Sequence, residues 1–248
     1  MCSDDFVEAQ TGNSYSLTDN EVRVWRIGCD LPSAQFTKLQ LILSSDERER
    51  AERFHFDVDG RRSVVARGSL RLLLGQILGL PPKSLCFEYG EFGKPRLTNL
   101  PEHRIQFNVS HSGDLILIAV AKGRAIGVDI ERIRPDVDLD GVAARFFSAN
   151  EYRNLALLTG PDKYEGFFTC WTRKEAFLKA KGGGLSAPLD QFDVSFLPHE
   201  DARLLETRPD REEAGRWKLI PLAVPAGYVA ALAVEGFDWT LKCLEGSD

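Results

Sequence analysis

Apolar residues recur at helical spacing in two long segments of the chain. Between Arg62 and Leu80 the apolar side chains follow helical spacing, and Gly79 followed by two prolines ends the run, which predicts one long helix. A second helix is predicted from about residue 163 to residue 180, because the glycines at 182–184 suit a helix end and a turn. The pattern therefore predicts two long helices, each with a glycine at its exit.

Shorter segments rich in β-branched and apolar residues are predicted as strands. They are Val22–Ile27, Ile105–Val109, Leu115–Ala121, Ile126–Ile130, Phe192–Phe196, Tyr228–Val234 and Trp239–Cys243. The turn Lys122–Arg124 is predicted to join two of these strands as a hairpin. Residues 1–20 match no pattern and are expected to be a loose N-terminal segment.

The two halves of the chain share one outline. Each has a segment with Arg and Phe, near residues 51 and 143, then a polar stretch, a long helix, a Gly-Leu exit and strands. This repetition predicts an α+β fold of two similar α/β subdomains, 21–123 and 124–248, that meet near residues 122–125.

Composition and charge place the chain among ordinary globular proteins. Its 248 residues are 43% hydrophobic, and 31 basic against 37 acidic residues give a net charge of -6, which argues against a nucleic-acid binder. No apolar run is long enough to span a membrane, and the acidic N-terminus is unlike a signal peptide. Five scattered cysteines argue against a disulfide framework or a zinc site. We expect a cytoplasmic monomer.

Two carboxylates stand in one predicted strand. Asp129 and Glu131 flank Ile130, so they share one face of the strand while Ile130 faces the core. Such a pair is repulsive unless a cation lies between its members, and oxygen ligands alone suit Mg²⁺ or Mn²⁺. An exposed strand with two solvated acids would show the same spacing.

A second set of polar groups lies in the second predicted helix. Trp171, Glu175 and Lys179 are spaced by four residues and share one helix face. The spacing fits a core tryptophan beside a surface ion pair. It also fits a phosphate site in which Lys174 and Lys179 bind a polyphosphate and Glu175 acts as a base.

Three further segments offer groups to an anion. Residues 110–114 form a turn that begins Ser110-His111, Gly93–Pro95 is a turn with one cation, and the arginines of residues 61–71 stand nearly unopposed by acids. No G-x-S-x-G sequence is present, which argues against a serine hydrolase.

Taken together, the motifs resemble those of the 4′-phosphopantetheinyl transferases of the larger, Sfp type. They are F-N-V-S-H-S-G-D at 107–114, G-V-D-I-E at 127–131 and F-x-x-x-W-T-x-K-E-A-x-x-K-A-x-G-x-G-L at 167–185. Matches at 89–95 and 145–152 extend the resemblance over roughly residues 44 to 195. It implies two similar halves related by pseudo-two-fold symmetry, with coenzyme A in the cleft between them.

The resemblance implies a reaction and a set of site residues. The phosphopantetheine arm of coenzyme A would pass to a serine of an apo acyl or peptidyl carrier protein, and adenosine 3′,5′-bisphosphate would leave. Asp129, Glu131 and Glu151 would hold Mg²⁺. Glu175 would take the serine proton unless a metal-bound hydroxide does so. The residues expected to bind coenzyme A are Lys174, Lys179, Ser110, His111, Lys94, Pro95, Arg62 and Arg50.

Two positions depart from the family pattern. Ile130 stands where some relatives have a third metal-binding acid, so a water is expected there, and Glu47 stands where some have a lysine. The carrier protein is expected to dock near residues 142–147. A coenzyme A or nucleotide-binding regulatory protein without turnover would keep the same cleft, and it is the alternative function.

Overall fold

The elements in the first half of the chain recur in the same order in the second half. The computed structural model describes residues 7–8, 16–90, 94–98, 100, 104–182 and 188–246. In this part of the chain, each half has a strand, two short helices, one helix of 22 residues, a two-stranded ladder and a longer hairpin. The repetition confirms the α+β fold class with two similar halves.

The first half follows the short strand β1 (Val7–Glu8). It consists of β2 (Glu21–Gly28), α1 (Ser33–Ile42), α2 (Ser45–Glu52), α3 (Asp57–Leu78), β3 (Phe87–Tyr89), β4 (Pro95–Leu97), β5 (Ile105–Ser112) and β6 (Leu115–Lys122). The predicted first long helix is confirmed as α3, which begins five residues earlier than the apolar pattern indicated. It ends at Gly79, whose φ of 67° is the left-handed conformation that glycine adopts without strain.

The second half begins after the turn at residues 123–125. It consists of β7 (Ile126–Arg132), α4 (Leu139–Phe146), α5 (Ala149–Ala156), α6 (Gly160–Lys181), β8 (Phe192–Val194), β9 (Leu204–Thr207), β10 (Trp217–Pro221), β11 (Tyr228–Glu235) and β12 (Thr240–Glu245). The predicted second long helix is confirmed as α6.

Two sheets pack face to face between the long helices. One has the strand order β1-β12-β2-β6-β5 and the other has the order β10-β11-β7. Strand β6 shows how the halves join: Ile116, Ile118 and Val120 face the core under α3, while the alternate residues Leu117 and Ala119 face the second sheet. An apolar layer therefore joins the halves.

The predicted hairpin at Lys122–Arg124 is wrong. Strand β7 pairs with β11, antiparallel, and does not join the sheet of β6. The chain crosses from one sheet to the other at this turn, so β7 presents a free edge to β5. That edge carries the polar side chains described in the next section.

The division at residue 123 also needs correction at the C-terminal end. Strand β12 lies beside β2 in parallel, with Leu241 opposite Val22. The sheet of the first half is therefore completed by a strand that follows the second half in the sequence. Of the segment 1–20, which we expected to be loose, residues 7–8 pair with β12. Residues 1–6 and 9–15 lie outside the described part. None of the helices in the described ranges has the length and apolar character needed to cross a membrane.

Candidate active site

Strand β7 separates core residues from polar residues by simple alternation. Ile126, Val128 and Ile130 are fully buried in the layer between the sheets. Asp129 and Glu131 therefore project from the opposite face. The prediction that these two carboxylates share a face, with Ile130 in the core, is confirmed.

Asp129 lies at the centre of a compact polar cluster. Lys179, on α6, places its Nζ 2.6 Å from Asp129 Oδ1. Ser110, on β5, donates its hydroxyl to the same oxygen at 2.8 Å and accepts a hydrogen bond from Lys179 Nζ at 2.9 Å. Because β5 belongs to the first half and β7 and α6 to the second, this cluster lies where the two halves meet.

The side chains of β5 bind the free edge of β7. Asn108 Oδ1 accepts a hydrogen bond from the backbone N–H of Val128 at 2.9 Å, and Ser112 Oγ accepts one from Arg132 at 3.0 Å. The Ser112 hydroxyl also donates to Glu131 Oε2 at 2.8 Å. Alternate residues of the N-V-S-H-S motif thus accept hydrogen bonds from the backbone N–H groups at the edge of β7 and orient the two acids of that strand.

Glu175 completes the acidic cluster from α6. Burial first, and then the nearby negative charges of Asp129 and Glu131, raise the pKa of Glu175 to about 7 against the opposing effect of Lys179. Burial likewise raises the pKa of Glu131, and Asp129 adds to the shift against the opposing Ser112 hydrogen bond. Asp129 and Glu131 are therefore close enough to Glu175 to oppose its ionisation.

Two carboxylate oxygens in this cluster lack partners among the described residues. Asp129 Oδ2 and Glu175 Oε1 are buried and form no hydrogen bond. Buried carboxylate oxygens without a donor are costly, so they mark a place where a cation would be stabilised. In the described part of the chain no three His, Cys, Asp or Glu side chains already enclose one metal position, and Lys179 lies against Asp129 instead.

Glu151 does not belong to this cluster, which corrects the expectation that it is a metal ligand. Its Oε2 accepts from the Ser148 N–H at 2.9 Å and lies 2.7 Å from Lys174 Nζ, and its Oε1 accepts from the Val194 N–H at 2.8 Å. Both oxygens are used inside the second half. Glu175 takes the place in the acidic cluster that we expected for Glu151.

Lys174 was expected to bind phosphate, and the structure corrects this too. Its side chain is 0% exposed, and besides Glu151 it donates to the carbonyl of Leu189 at 2.8 Å and to that of Phe192. An ammonium has three N–H donors, so none remains for a ligand. Of the two lysines on α6, Lys179 is the one in the cluster with Asp129.

The arginines of the first half are paired, contrary to the expectation that they stand unopposed. Glu47, where we expected a charge reversal in a phosphate site, is buried and binds Arg71 at 2.6 Å and Arg67 at 3.5 Å. Arg61 stacks on the ring of Phe36, with 4.2 Å between guanidinium and ring centre. These contacts stabilise the first half and remove most of the segment from any anion site.

Besides the side chains of β5 already described, the first half has His111 and Arg62 near the cluster. Arg62 binds Asp59 at 3.0 Å and Asp114 at 3.3 Å. Loss of hydration, and then the charges of Lys179 and Arg62, lower the pKa of His111. Arg50 lies elsewhere, with its guanidinium 4.6 Å from the ring centre of Tyr89.

An apolar cavity of about 180 Å³ opens beside Glu131. Its walls are formed by Arg134, Val137, Val142, Phe167, Phe168 and Trp171. Phe147, in the segment where we expected docking, is core and stacks on Phe167, whereas Arg145 is exposed over the ring of Phe146. Only part of that segment is therefore open to a partner.

The sequence of this chain is similar to the sequences of known proteins. The model described as "4′-phosphopantetheinyl transferase superfamily" matches residues 125–233, and "4′-phosphopantetheinyl transferase, N-terminal" matches residues 31–123. The 4′-phosphopantetheinyl transferase HetI of Nostoc sp. is 42% identical over 228 residues, which cover 92% of this chain and 93% of HetI. The chain belongs to the 4′-phosphopantetheinyl transferase superfamily. The Sfp transferase of Bacillus subtilis is 32% identical over 191 residues, 76% of this chain and 82% of Sfp.

Membership of the 4′-phosphopantetheinyl transferases confirms the resemblance that the motifs indicated. Sequence reasoning nevertheless missed three residues of the site, Asn108, Ser112 and Gly127. Asn108, Ser110 and Ser112 alternate along one strand, which is a signal that all three face the same neighbour. Gly127 stands inside a strand, where a glycine often marks a close backbone approach.

Proposed function

We propose that this transferase moves the 4′-phosphopantetheine arm of coenzyme A to a serine hydroxyl of an apo acyl or peptidyl carrier protein. Glu175 would accept the proton of the serine hydroxyl, the serine oxygen would bond to the phosphorus that carries the arm, the bridging P–O bond would break, and adenosine 3′,5′-bisphosphate would leave. The observation that carries this proposal is the cluster of Asp129, Glu131, Glu175 and Lys179 between the two halves. Such a cluster suits a polyanionic substrate that arrives with a divalent cation.

The acidic cluster fits Mg²⁺, and Mn²⁺ has the same preference for oxygen ligands. Three carboxylates with one ammonium leave net negative charge, and the partnerless oxygens of Asp129 and Glu175 are free to bind a cation. We assign Asp129, Glu131 and Glu175 as the residues that would hold it. When bound, the ion would stabilise negative charge on the pyrophosphate.

Lys179 is suited to bind a phosphate oxygen of coenzyme A. Its side chain is 27% exposed, unlike that of Lys174, and its other contacts are to Asp129 and Ser110. As a compact point charge it would stabilise the negative charge that develops when the bridging bond breaks.

The adenosine end of coenzyme A would lie along the first half. Arg62 and His111 lie beside the cluster and offer a cation and a ring nitrogen to the 3′-phosphate. The Ser110 hydroxyl is hydrogen-bonded to Asp129 and Lys179, so we do not propose that it binds the 3′-phosphate. Pro95 remains our prediction for the adenine contact.

The cavity beside Glu131 would take the pantetheine arm. It begins at a cluster carboxylate and continues between Val142 and Trp171, so one wall is polar near the phosphates and the rest is apolar. A mostly apolar channel with a few polar groups suits a chain of this kind. Arg145, exposed on α4 nearby, would contact an acidic carrier protein.

One assay tests the reaction. The purified protein is incubated with coenzyme A, Mg²⁺ and an apo carrier protein, and the intact mass of the carrier is measured. We expect the carrier to gain the mass of the phosphopantetheine arm. A carrier whose acceptor serine is replaced by alanine is the control and should gain nothing.

The same assay separates the alternative function. A regulatory protein without turnover would bind coenzyme A in calorimetry and leave the carrier mass unchanged with every carrier tried. That result would overturn the proposed transfer, although coenzyme A would still be the ligand. Absence of both binding and transfer would reject the site itself.

A further inference from the structure

Lys94 comes from the first half but is bound entirely to the backbone of the second. It lies just before β4, and its Nζ donates to the carbonyls of Lys179 at 2.7 Å, Ile126 at 3.1 Å and Ala180 at 3.3 Å. Those three bonds use all the donors of an ammonium. The Lys94 side chain therefore has no donor left for the adenosine end of coenzyme A, where we had expected it.

The carbonyls that Lys94 binds belong to two elements of the active site. Lys179 and Ala180 lie in the last turn of α6, where the carbonyls run out of helical N–H partners, and the Lys179 carbonyl also accepts the N–H of the capping Gly182 at 3.3 Å. Ile126 is the first residue of β7. A cation is favoured at a helix C-terminus, and here one cation also reaches the adjoining strand.

The backbones of α6 and β7 touch at the same point. A Cβ on Gly127 would lie 2.1 Å from the carbonyl oxygen of Ala176 and 2.3 Å from the nitrogen of Ala180, so only glycine allows this approach. Lys94 thus binds next to the place where α6 crosses β7. Burial there lowers the pKa of Lys94 to about 8.

We propose that Lys94 is a positioning residue that clamps the last turn of α6 to the first residue of β7. The clamp acts through the backbone of Lys179, and it sets the spacing between that ammonium and the Asp129 carboxylate. Because β4 belongs to the first half, the clamp also ties the geometry of the cluster to the docking of the two halves. This inference rests on the proposed transfer only for its kinetic test.

The kinetic test is a double-mutant cycle. Lys94→Met and Lys94→Gln are each made alone and in a Lys179→Ala background, with exposed Lys83→Met as the matched control. We expect Lys94→Met to lower kcat about tenfold or more while the KM for coenzyme A changes less than about threefold. In the Lys179→Ala background the same change should have no further effect on single-turnover rates, because Lys94 acts through Lys179.

Other outcomes overturn the clamp. A rise in KM with unchanged kcat would mean that Lys94 contacts coenzyme A directly. Full additivity with Lys179→Ala would mean that it acts elsewhere. If neither variant folds while Lys83→Met does, the role of Lys94 is overall stability and the proposal fails.

A second measurement needs no activity. Amide hydrogen exchange is followed in residues 176–182 of the protein with Lys94→Gln, and residues 64–75 of α3 serve as an internal reference. Relative to the wild-type protein, we expect faster exchange in residues 176–182 alone, because the carbonyls at the end of α6 lose the Lys94 ammonium. The clamp would be rejected if exchange in residues 176–182 kept its wild-type rate, or if it rose equally in residues 64–75. If the wild-type protein failed to transfer the arm, this experiment would still decide the clamp, and only the proposed function would fall.

Discussion

Lys174 and Glu151 form a buried ion pair of 2.7 Å that has a counterpart in the other half of the molecule. There Arg71 binds Glu47 at 2.6 Å. Each acid closes a capping box at the start of its short helix, and each cation lies at the same position in its 22-residue helix. Strand β2 carries no acidic cluster opposite α3, so the pair of the first half has no such cluster to serve. We therefore infer that the buried pair stabilises the fold in both halves.

We therefore expect Glu151→Gln to lower stability and leave chemistry nearly intact. Breaking a buried pair typically costs about 3–5 kcal/mol because one charge is left unpaired. Urea unfolding should show a loss of this order, while kcat per folded molecule changes less than about threefold. Glu47→Gln is the matched control and should behave alike. If Glu151→Gln lost activity and excess Mg²⁺ recovered it, the assignment of Glu151 as a metal ligand would stand.

The variant Glu175→Gln tests the role of Glu175, which lies in the cluster where we expected Glu151. As a proton acceptor, Glu175 would contribute about 10²–10⁴ in rate, and the loss would not depend on the Mg²⁺ concentration. As a metal ligand it would also set the Mg²⁺ requirement. We expect the loss in rate together with a higher Mg²⁺ concentration at half-maximal activity. An unchanged Mg²⁺ requirement would leave proton transfer as its sole role.

Asp129→Ala is the comparison for that experiment, because Asp129 contacts Lys179 and has the partnerless oxygen that we propose binds the cation. Its transfer activity should be lost at every Mg²⁺ concentration, as measured by carrier mass. Near-normal turnover at millimolar Mg²⁺ would reject the assignment of the acids to the metal.

The local periodicities of the sequence were enough to predict part of this site. Alternation along β7 predicts that Asp129 and Glu131 share a face, and four-residue spacing along α6 predicts the same of Glu175 and Lys179, since both depend only on neighbours in the chain. That the two elements meet is implied by the family resemblance and by neither periodicity. The role of Glu151 was misjudged, although Ser-x-x-Glu at 148–151 is a capping-box signal. The strand partners were not predictable, because the pairing of β12 with β2 joins residues from opposite ends of the described chain.

The titration of Glu175 should appear in the stability of the protein without Mg²⁺. Its pKa is raised from a usual value of 4.5 to about 7 in the folded protein, so folding favours the protonated form. The stabilisation is complete below pH 4.5 and is lost as the pH rises to about 7, a change of up to ~3 kcal/mol. Glu175→Gln should lack this change.

The difference in free energy of unfolding between Glu175→Gln and the wild-type protein, measured in urea from pH 4.5 to 7.5, reports the titration of this carboxyl together with its coupling to Glu131. We expect the difference to shift in favour of the variant as the pH rises. Saturating Mg²⁺ should reduce the shift because a bound cation favours the ionised form. A difference that stays constant with pH would show that Glu175 titrates normally.

Gly127→Ala should disrupt the contact between α6 and β7. The added methyl group would meet backbone atoms that cannot move without shifting α6. We expect a loss of thermal stability and of transfer activity, measured by calorimetry and by carrier mass. Gly215→Ala is the control, because a Cβ there meets nothing within 4 Å. Equal behaviour of the two variants would mean that α6 and β7 tolerate separation.

Strand β12 has a consequence for how the protein is made. It is synthesised after the whole second half, yet it covers one edge of β2 in the first. While the chain emerges from the ribosome, that edge has unpaired backbone groups and can pair with another nascent chain. We expect a chain that stops before Thr240 to sediment as aggregates, whereas the longer chain remains dispersed. The first half is thus the earlier to be translated but among the last parts to be finished.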